Sequence, residues 1–191
     1  MKKLFYRVFA FVCSYNGIAQ VKSKMSFQAE IYNRNSDSIF IRNRQNGKVL
    51  KTIAINKAGF FKDIVRIAEG VYMFYDGKEY AKIFIKNSYD LKRKIDAQKF
   101  DESMVFSGKG AAENNYMVQS SLSNAKYDHT SLLASNEKNF KRLVDDKKNS
   151  VFAGLENKNL DVNFKALQKA DIENSIIGLT AFITKFKKTI N

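Results

Sequence analysis

The chain has 191 residues and a formal net charge of +14, with 33 lysines and arginines against 19 acids. Its 45% hydrophobic and 13% aromatic content excludes a disordered chain, and the absence of proline excludes rigid polyproline linkers. The length fits one domain or two small ones, and the charge favours acidic partners (nucleic acid, anionic lipid headgroups or acidic glycans) without choosing among them.

Met1-Lys2-Lys3 forms a basic start, Val8 to Cys13 a short apolar run, and Gly17-Ile18-Ala19 places small residues at a cleavage position before Gln20. This order predicts an export signal over residues 1–19, with Arg7 as an interruption. The run is too short to span a bilayer, which takes about 20 apolar residues. A lipoprotein reading of Cys13 is disfavoured, because Val12 stands where a small residue belongs. Cys13 is the single cysteine of the chain. Its removal with the signal would leave no thiol for a disulfide, a nucleophile or a thiolate-bound metal.

From Met25 to Phe106 the pattern predicts short strands. Phe27, Ala29 and Ile31 alternate with Gln28, Glu30 and Tyr32, the period of a half-buried strand. Ile39 and Ile41 follow a polar loop. Asn46-Gly47 and Asp76-Gly77 predict hairpins with type I′ turns, in which both central residues have positive φ. Gly59 and Gly70 mark two more turns. The run Val71 to Tyr75 predicts a central strand covered on both faces and paired with Tyr80 to Ile85. Leu91, Arg93 and Ile95 alternate with Lys92 and Lys94, and Met104 and Phe106 close an antiparallel β domain over residues 24–107.

The character changes at Ser107-Gly108-Lys109-Gly110, and residues 111–191 favour helix. One helix starts at Ala111. A second starts near Ser135 as N-cap, with Phe140, Leu143 and Val144 on one face, a weak point at Lys147 to Ser150, and a break at Gly154 and the Asn157-Lys158-Asn159 stretch. Asp161 caps a third. There Ile172, Ile176, Leu179, Ile183, Phe186 and Ile190 recur at steps of four and three. Packing against another helix of this chain is the favoured reading, and self-association or an envelope protein partner is the alternative for these six candidate interface residues. The fold class expected is therefore α+β: an antiparallel β-sandwich or barrel-like N-terminal domain followed by an α-helical segment.

Sites for chemistry are scarce. Gly108-Lys109-Gly110 lacks the length and the Lys-Ser/Thr ending of a phosphate loop, so it reads as a tight turn. Asp101-Glu102 and Asp145-Asp146 are adjacent pairs whose side chains diverge. His129, the one histidine, would have only carboxylates as co-ligands. No catalytic, cofactor-binding or metal-binding residue is assigned, and no cofactor is expected. The basic residues, from Lys22 to Lys188, alternate with apolar ones as on solvated faces.

Four stretches carry a family resemblance: Asp76-Gly77-Lys78-Glu79-Tyr80, Asn87 to Leu91, Lys99 to Glu102 and, above all, Phe106-Ser107-Gly108-Lys109-Gly110-Ala111-Ala112-Glu113-Asn114-Asn115-Tyr116. Together they resemble the N-terminal region of TlpA-like thiol–disulfide oxidoreductases of bacterial envelopes. The resemblance implies an export signal, a β-sandwich domain and a helical spacer ahead of a thioredoxin domain. The family's redox motif is Trp-Cys-x-x-Cys, and this chain has no Trp and one Cys. It stops at Asn191, within what would be the spacer. The expectation is a truncated or stand-alone relative that acts in the periplasm or another extracytoplasmic space as a non-catalytic accessory or binding module. The alternative expectation is a basic binder of nucleic acid or an anionic envelope polymer.

Overall fold

The computed structural model describes residues 23–125, 135–156 and 158–190; residues 1–19, where an export signal is expected, Cys13 and His129 lie outside them. Eight strands come first: β1 (Ser23–Tyr32), β2 (Ser38–Arg42), β3 (Val49–Ala54), β4 (Phe60–Ile67), β5 (Gly70–Tyr75), β6 (Tyr80–Ile85), β7 (Asp90–Asp96) and β8 (Val105–Lys109). Helices α1 (Ala111–Ala125), α2 (Glu137–Glu156) and α3 (Val162–Ile190) follow. The strands make two four-stranded sheets, ordered β4-β1-β7-β8 and β3-β2-β5-β6. The α+β class, a β-sandwich followed by helices, is thus the observed architecture.

Alternation in the sequence decides which side chains meet between the sheets. Met25, Phe27, Ala29 and Ile31 of β1 point inward, as do Leu91, Arg93 and Ile95 of β7, and all are buried. The Phe27 ring meets Phe61 edge-on at 5.1 Å and Phe74 of the second sheet at 5.9 Å. A buried aromatic side chain contributes roughly 1.5–3 kcal/mol, so this line of rings is the main bond between the layers.

The pairing departs from the wholly antiparallel expectation at one place. β1 and β7 run parallel, with Phe27 opposite Leu91 and Ile31 opposite Ile95. The cause is the path of the chain. It leaves the first sheet after β1 for the β2–β3 hairpin, returns as β4 antiparallel to β1, leaves again for β5–β6, and returns as β7. Two reversals bring β7 back in the direction of β1.

The two hairpins form where expected, with different turns. In both, only the glycine has positive φ: +70° at Gly47 and +105° at Gly77. Side chains hold the rest of each turn. Asn43 Oδ1 accepts the amides of Gln45 and Asn46, and Asp76 Oδ1 accepts those of Lys78 and Glu79. An Asx-type bond of this kind substitutes for a second residue in the left-handed region. β5 pairs with β6 as expected, Phe74 opposite Ala81. It is internal to its sheet, but only Phe74 is fully buried, so its outer face is half covered.

The sides of the sandwich are closed by polar groups. Along one side, Lys51 of β3 reaches Asp63 of β4 at 2.6 Å. Along the other, the first turns of α1 lie between the edge strands β6 and β8. The Phe84 amide donates to Asn114 Oδ1 at 2.9 Å, and Asn114 Nδ2 donates to the Phe84 and Gly110 carbonyls at 3.3 and 2.8 Å. Asn115 does the same for Phe106 of β8, accepting at 2.8 Å and donating at 2.9 Å. Each asparagine takes the place of a neighbouring strand for one residue. Together they fasten both sheets to one helix.

Arg93 is the exception inside this core. It is 4% exposed, and its Nε, Nη1 and Nη2 have no hydrogen-bond partner among the described residues. Its guanidinium lies over the rings of Phe106, Phe74 and Phe100 at 4.7, 5.4 and 5.8 Å. Burial lowers its pKa to about 9, against the opposing pull of the Asp76 charge, and it stays protonated at neutral pH. The cation–π contacts offset part of the desolvation cost, but hydrogen bonds do not. Arg93→Met, which keeps the volume and removes the charge, is expected to raise stability by about 1–3 kcal/mol in urea denaturation. A loss of stability would show that the ring contacts outweigh desolvation.

Candidate functional site

The three helices bound a recess, and each reaches it for a local reason. α1 starts where Gly110, φ +97°, turns the chain away from β8. α2 starts at Asn136, whose Oδ1 accepts the Asn139 amide; the N-cap is thus one residue later than the expected Ser135. α2 then runs unbroken through Lys147 to Ser150, where a weakening was expected, and past Gly154 to Glu156, so that the expected break falls after Glu156 rather than at Gly154. An amphipathic face packed on α3 outweighs the weak propensities there. Asp161 caps α3 as expected, its Oδ1 accepting the amides of Asn163 and Phe164.

Ion pairs fix α3 on the sandwich. Asp161 Oδ2 receives Lys86 at 2.6 Å, and its own amide donates to buried Glu113 of α1. Asp171 receives Arg44 at 2.8 Å and Lys82 at 3.3 Å. Burial works to raise both carboxyls, but the cations, with amides in the case of Asp161, outweigh it and hold both below the usual range. Folded-state values lower than unfolded ones mean that their contribution is present above the ordinary carboxylate range. It is lost as pH falls through the lowered values. The Tyr89 hydroxyl, beneath this cluster, is pushed up by burial and by the Glu113 charge.

α2 runs antiparallel to α3. Phe140 and Val144 pack with Ile183, with Leu143, Ile176 and Leu179 around them, and Lys148 pairs with Glu173 at 3.4 Å. Toward the other end, Glu156 pairs with Lys165 and Lys169. α1 stands off from this pair, and between the three helices lies a cleft of about 620 Å³. α1 contributes Tyr116, Met117 and Ser120 to it. α2 contributes Leu143, Val144, Lys147, Val151 and Gly154, and α3 contributes Gln168, Ile172, Ile176 and Leu179. Lys82, Lys148 and Lys158 also line it, and Asp171 is the one acid among its described lining residues.

Two of these residues have properties that the fold does not use. Gln168 is 6% exposed, and its Nε2 has no hydrogen-bond partner among the described residues. Gly154 has open space where a Cβ would stand, with no atom within 4 Å. A mid-helix glycine costs about 0.5–1 kcal/mol relative to alanine. Gly154→Ala should therefore raise stability by about that amount in thermal melts; a loss would mean that α2 is kinked or crowded at this point.

The six candidate interface residues divide. Ile172 packs on the sandwich core, while Ile176, Leu179 and Ile183 face α2. The side chains of Phe186 and Ile190 lie outside the description. The cleft thus uses the same stripe on α3 that the sequence marks, extended one turn back to Gln168. A polar residue that continues an apolar stripe is the sign of it in the sequence.

Other motifs have structural uses. Gly108 and Gly110 let the chain pass the Asp90 backbone and the Tyr89 ring, and Lys109 Nζ donates to Ser88 Oγ at 2.9 Å. Asp101, Glu102, Asp145 and Asp146 are all exposed. Among the described residues, no three His, Cys, Asp or Glu side chains are grouped to hold a metal, and no helix is long and apolar enough to cross a membrane. No family model, curated protein or solved structure matches the chain.

Proposed function

We propose that this chain is a non-catalytic binding module of the cell envelope, an exported relative of the front half of TlpA-like proteins, with its ligand site in the three-helix cleft. The observation that carries the reading is the cleft itself: about 620 Å³, within the range of small-molecule sites, with a mainly apolar surface interrupted by serines, glutamines and lysines. Two further facts support it. The stretch that carries the resemblance, Phe106 to Tyr116, has its polar side chains committed to holding strands and helices. The carboxylates of buried Glu113 and half-buried Asp161 are committed to a cap and an ion pair. Neither group is placed for acid–base work.

Dodecanol, a neutral apolar probe, tests the reading by NMR. Shifts confined to Met117, Leu143, Val144, Ile172 and Ile176 are expected, and their absence would refute a cleft site.

One observation favours the second reading, an anionic-polymer binder. Lys24, Lys62, Arg66, Lys92, Lys94 and Lys109 are exposed on the outer face of the first sheet, where Lys62 and Lys92 flank Gln28 in register. Glu30 partly neutralises this face through Lys94 at 3.1 Å. If the face binds polyanions, the affinity for single-stranded DNA falls linearly on a log–log plot against salt. The Lys92→Gln/Lys94→Gln protein then has a slope smaller by about 1–2. An unchanged slope would remove this reading.

A further inference from the structure

The cleft has a length and a polarity as well as a volume. On α3, Gln168, Ile172, Ile176 and Leu179 follow one another at steps of four and three, so they form one face. At 1.5 Å per residue that face is about 16 Å long, close to one acyl layer of a bilayer whose apolar core is about 30 Å thick. The two ends differ. Leu143, Val144, Ile176 and Leu179 make one end apolar. The rest of the lining includes Gln168, Gly154 and Lys158, whose Nζ lies 5.5 Å from the centre of the Tyr116 ring.

We propose that the cleft holds a single-chain amphiphile with an anionic head, the tail between Leu143, Ile176 and Leu179 and the head at Gln168 Nε2. This deepens the binding-module reading above and rests on it.

Three observations support this choice of ligand. The buried Nε2 is a donor, so it selects a head that accepts hydrogen bonds, and a buried donor without a partner destabilises a fold unless a ligand uses it. The described lining residues include four lysines, Lys82, Lys147, Lys148 and Lys158, and one acid, Asp171; Arg44 and Lys82 balance Asp171 and Lys148 is paired with Glu173, so the lining still carries more positive than negative charge. An anion is therefore favoured over a cation. Burial also lowers the pKa of Lys147 on the cleft wall, and a neighbouring anion favours the charged form of a desolvated ammonium. A carboxylate and a phosphate monoester share this chemistry, and the choice of head group distinguishes them.

Calorimetric titration of the full chain tests the proposal, using dodecanoate, dodecyl phosphate, dodecanol and dodecyltrimethylammonium below their micelle concentrations. One dodecanoate or dodecyl phosphate per chain is expected, bound at least tenfold more tightly than dodecyltrimethylammonium. The tighter of the two anions identifies the head. Gln168→Leu should weaken the anions about tenfold, weaken dodecanol less because its hydroxyl accepts only a neutral hydrogen bond, and raise the melting temperature of the ligand-free protein. Gly154→Trp, which extends into open space, should abolish binding while the protein still melts cooperatively.

Equal binding of the cationic and anionic amphiphiles, an unaltered affinity in Gln168→Leu, or full binding in Gly154→Trp would each overturn the proposal. If dodecanol alone binds, the head-group inference falls and the binding-module reading stands. If none of the four binds, both fall.

Discussion

Alanine at position 108 should cost about 4 kcal/mol of folding stability, lowering the melting temperature by about 10 °C in a chain of this size. Gly108 has φ +89°, and a Cβ there would fall within contact distance of the Asp90 carbonyl oxygen. That atom belongs to the backbone of β7, paired with β8 in register from Asp90–Lys109 to Lys94–Val105, so it cannot move aside alone. Gly47 supplies the control. It too has positive φ, +70°, but no atom lies within 4 Å of its would-be Cβ. Gly47→Ala should cost only the backbone strain, about 1–2 kcal/mol. The difference between the two variants measures the clash. Equal losses would mean that β7 and β8 are not as close as the register requires.

Asn114→Ala should cost about 3 kcal/mol, because three hydrogen bonds disappear and the Phe84 amide and carbonyl are left buried without partners. Asn115→Ala should cost less, about 1–2 kcal/mol, since Asn115 is half-buried and water can reach its place beside Phe106. Because the two asparagines hold different sheets, their effects should be close to additive. Native-state hydrogen exchange locates the loss: the Phe84 amide should lose protection in the first variant and the Phe106 amide in the second. Unchanged exchange at Phe84 in Asn114→Ala would show that the side chain does not substitute for a strand.

Much of the sandwich is legible in the sequence because burial on one face of a strand has a period of two. Phe27, Ala29 and Ile31 reveal β1, and Leu91, Arg93 and Ile95 reveal β7, even though one of the inward positions carries a charge. The partners of those strands are not legible in the same way. Alternation reports which face is buried, not which strand lies alongside, and the parallel β1–β7 pair joins positions 64 residues apart in the numbering of its register, from Ser26–Asp90 to Tyr32–Asp96. Turn chemistry misled in the opposite sense. Asn46-Gly47 and Asp76-Gly77 marked the reversals, but the Asx-type bonds of Asn43 and Asp76 relieved the first residue of each pair of any need for positive φ.

The helical half shows the same division. Asp161 was legible as a cap, and Phe140, Leu143 and Val144 as a packing face. The cleft was not, since a space between three helices depends on the angles at which they cross. Asn114 and Asn115 look like weak helix formers when read locally. Their value comes from the two edge strands beside them, whose bonded residues Phe106 and Phe84 lie 9 and 30 residues back in the chain.

The path of the chain also sets an order of assembly. The second sheet consists of two local hairpins, β2–β3 and β5–β6, each complete within about 20 residues of chain. The first sheet has β1 between β4 and β7, so its first strand waits for nearly the whole β region before its second neighbour exists. Loop closure of that span precedes any reward from the parallel pair, which slows the step. Pulsed hydrogen exchange during refolding should find amides of β5 and β6 protected before those β1 amides that face β7; simultaneous protection would rule out this order. A nascent chain built this way stays open at its first strand until residue 96 has emerged, a delay written into the strand order rather than into any single residue.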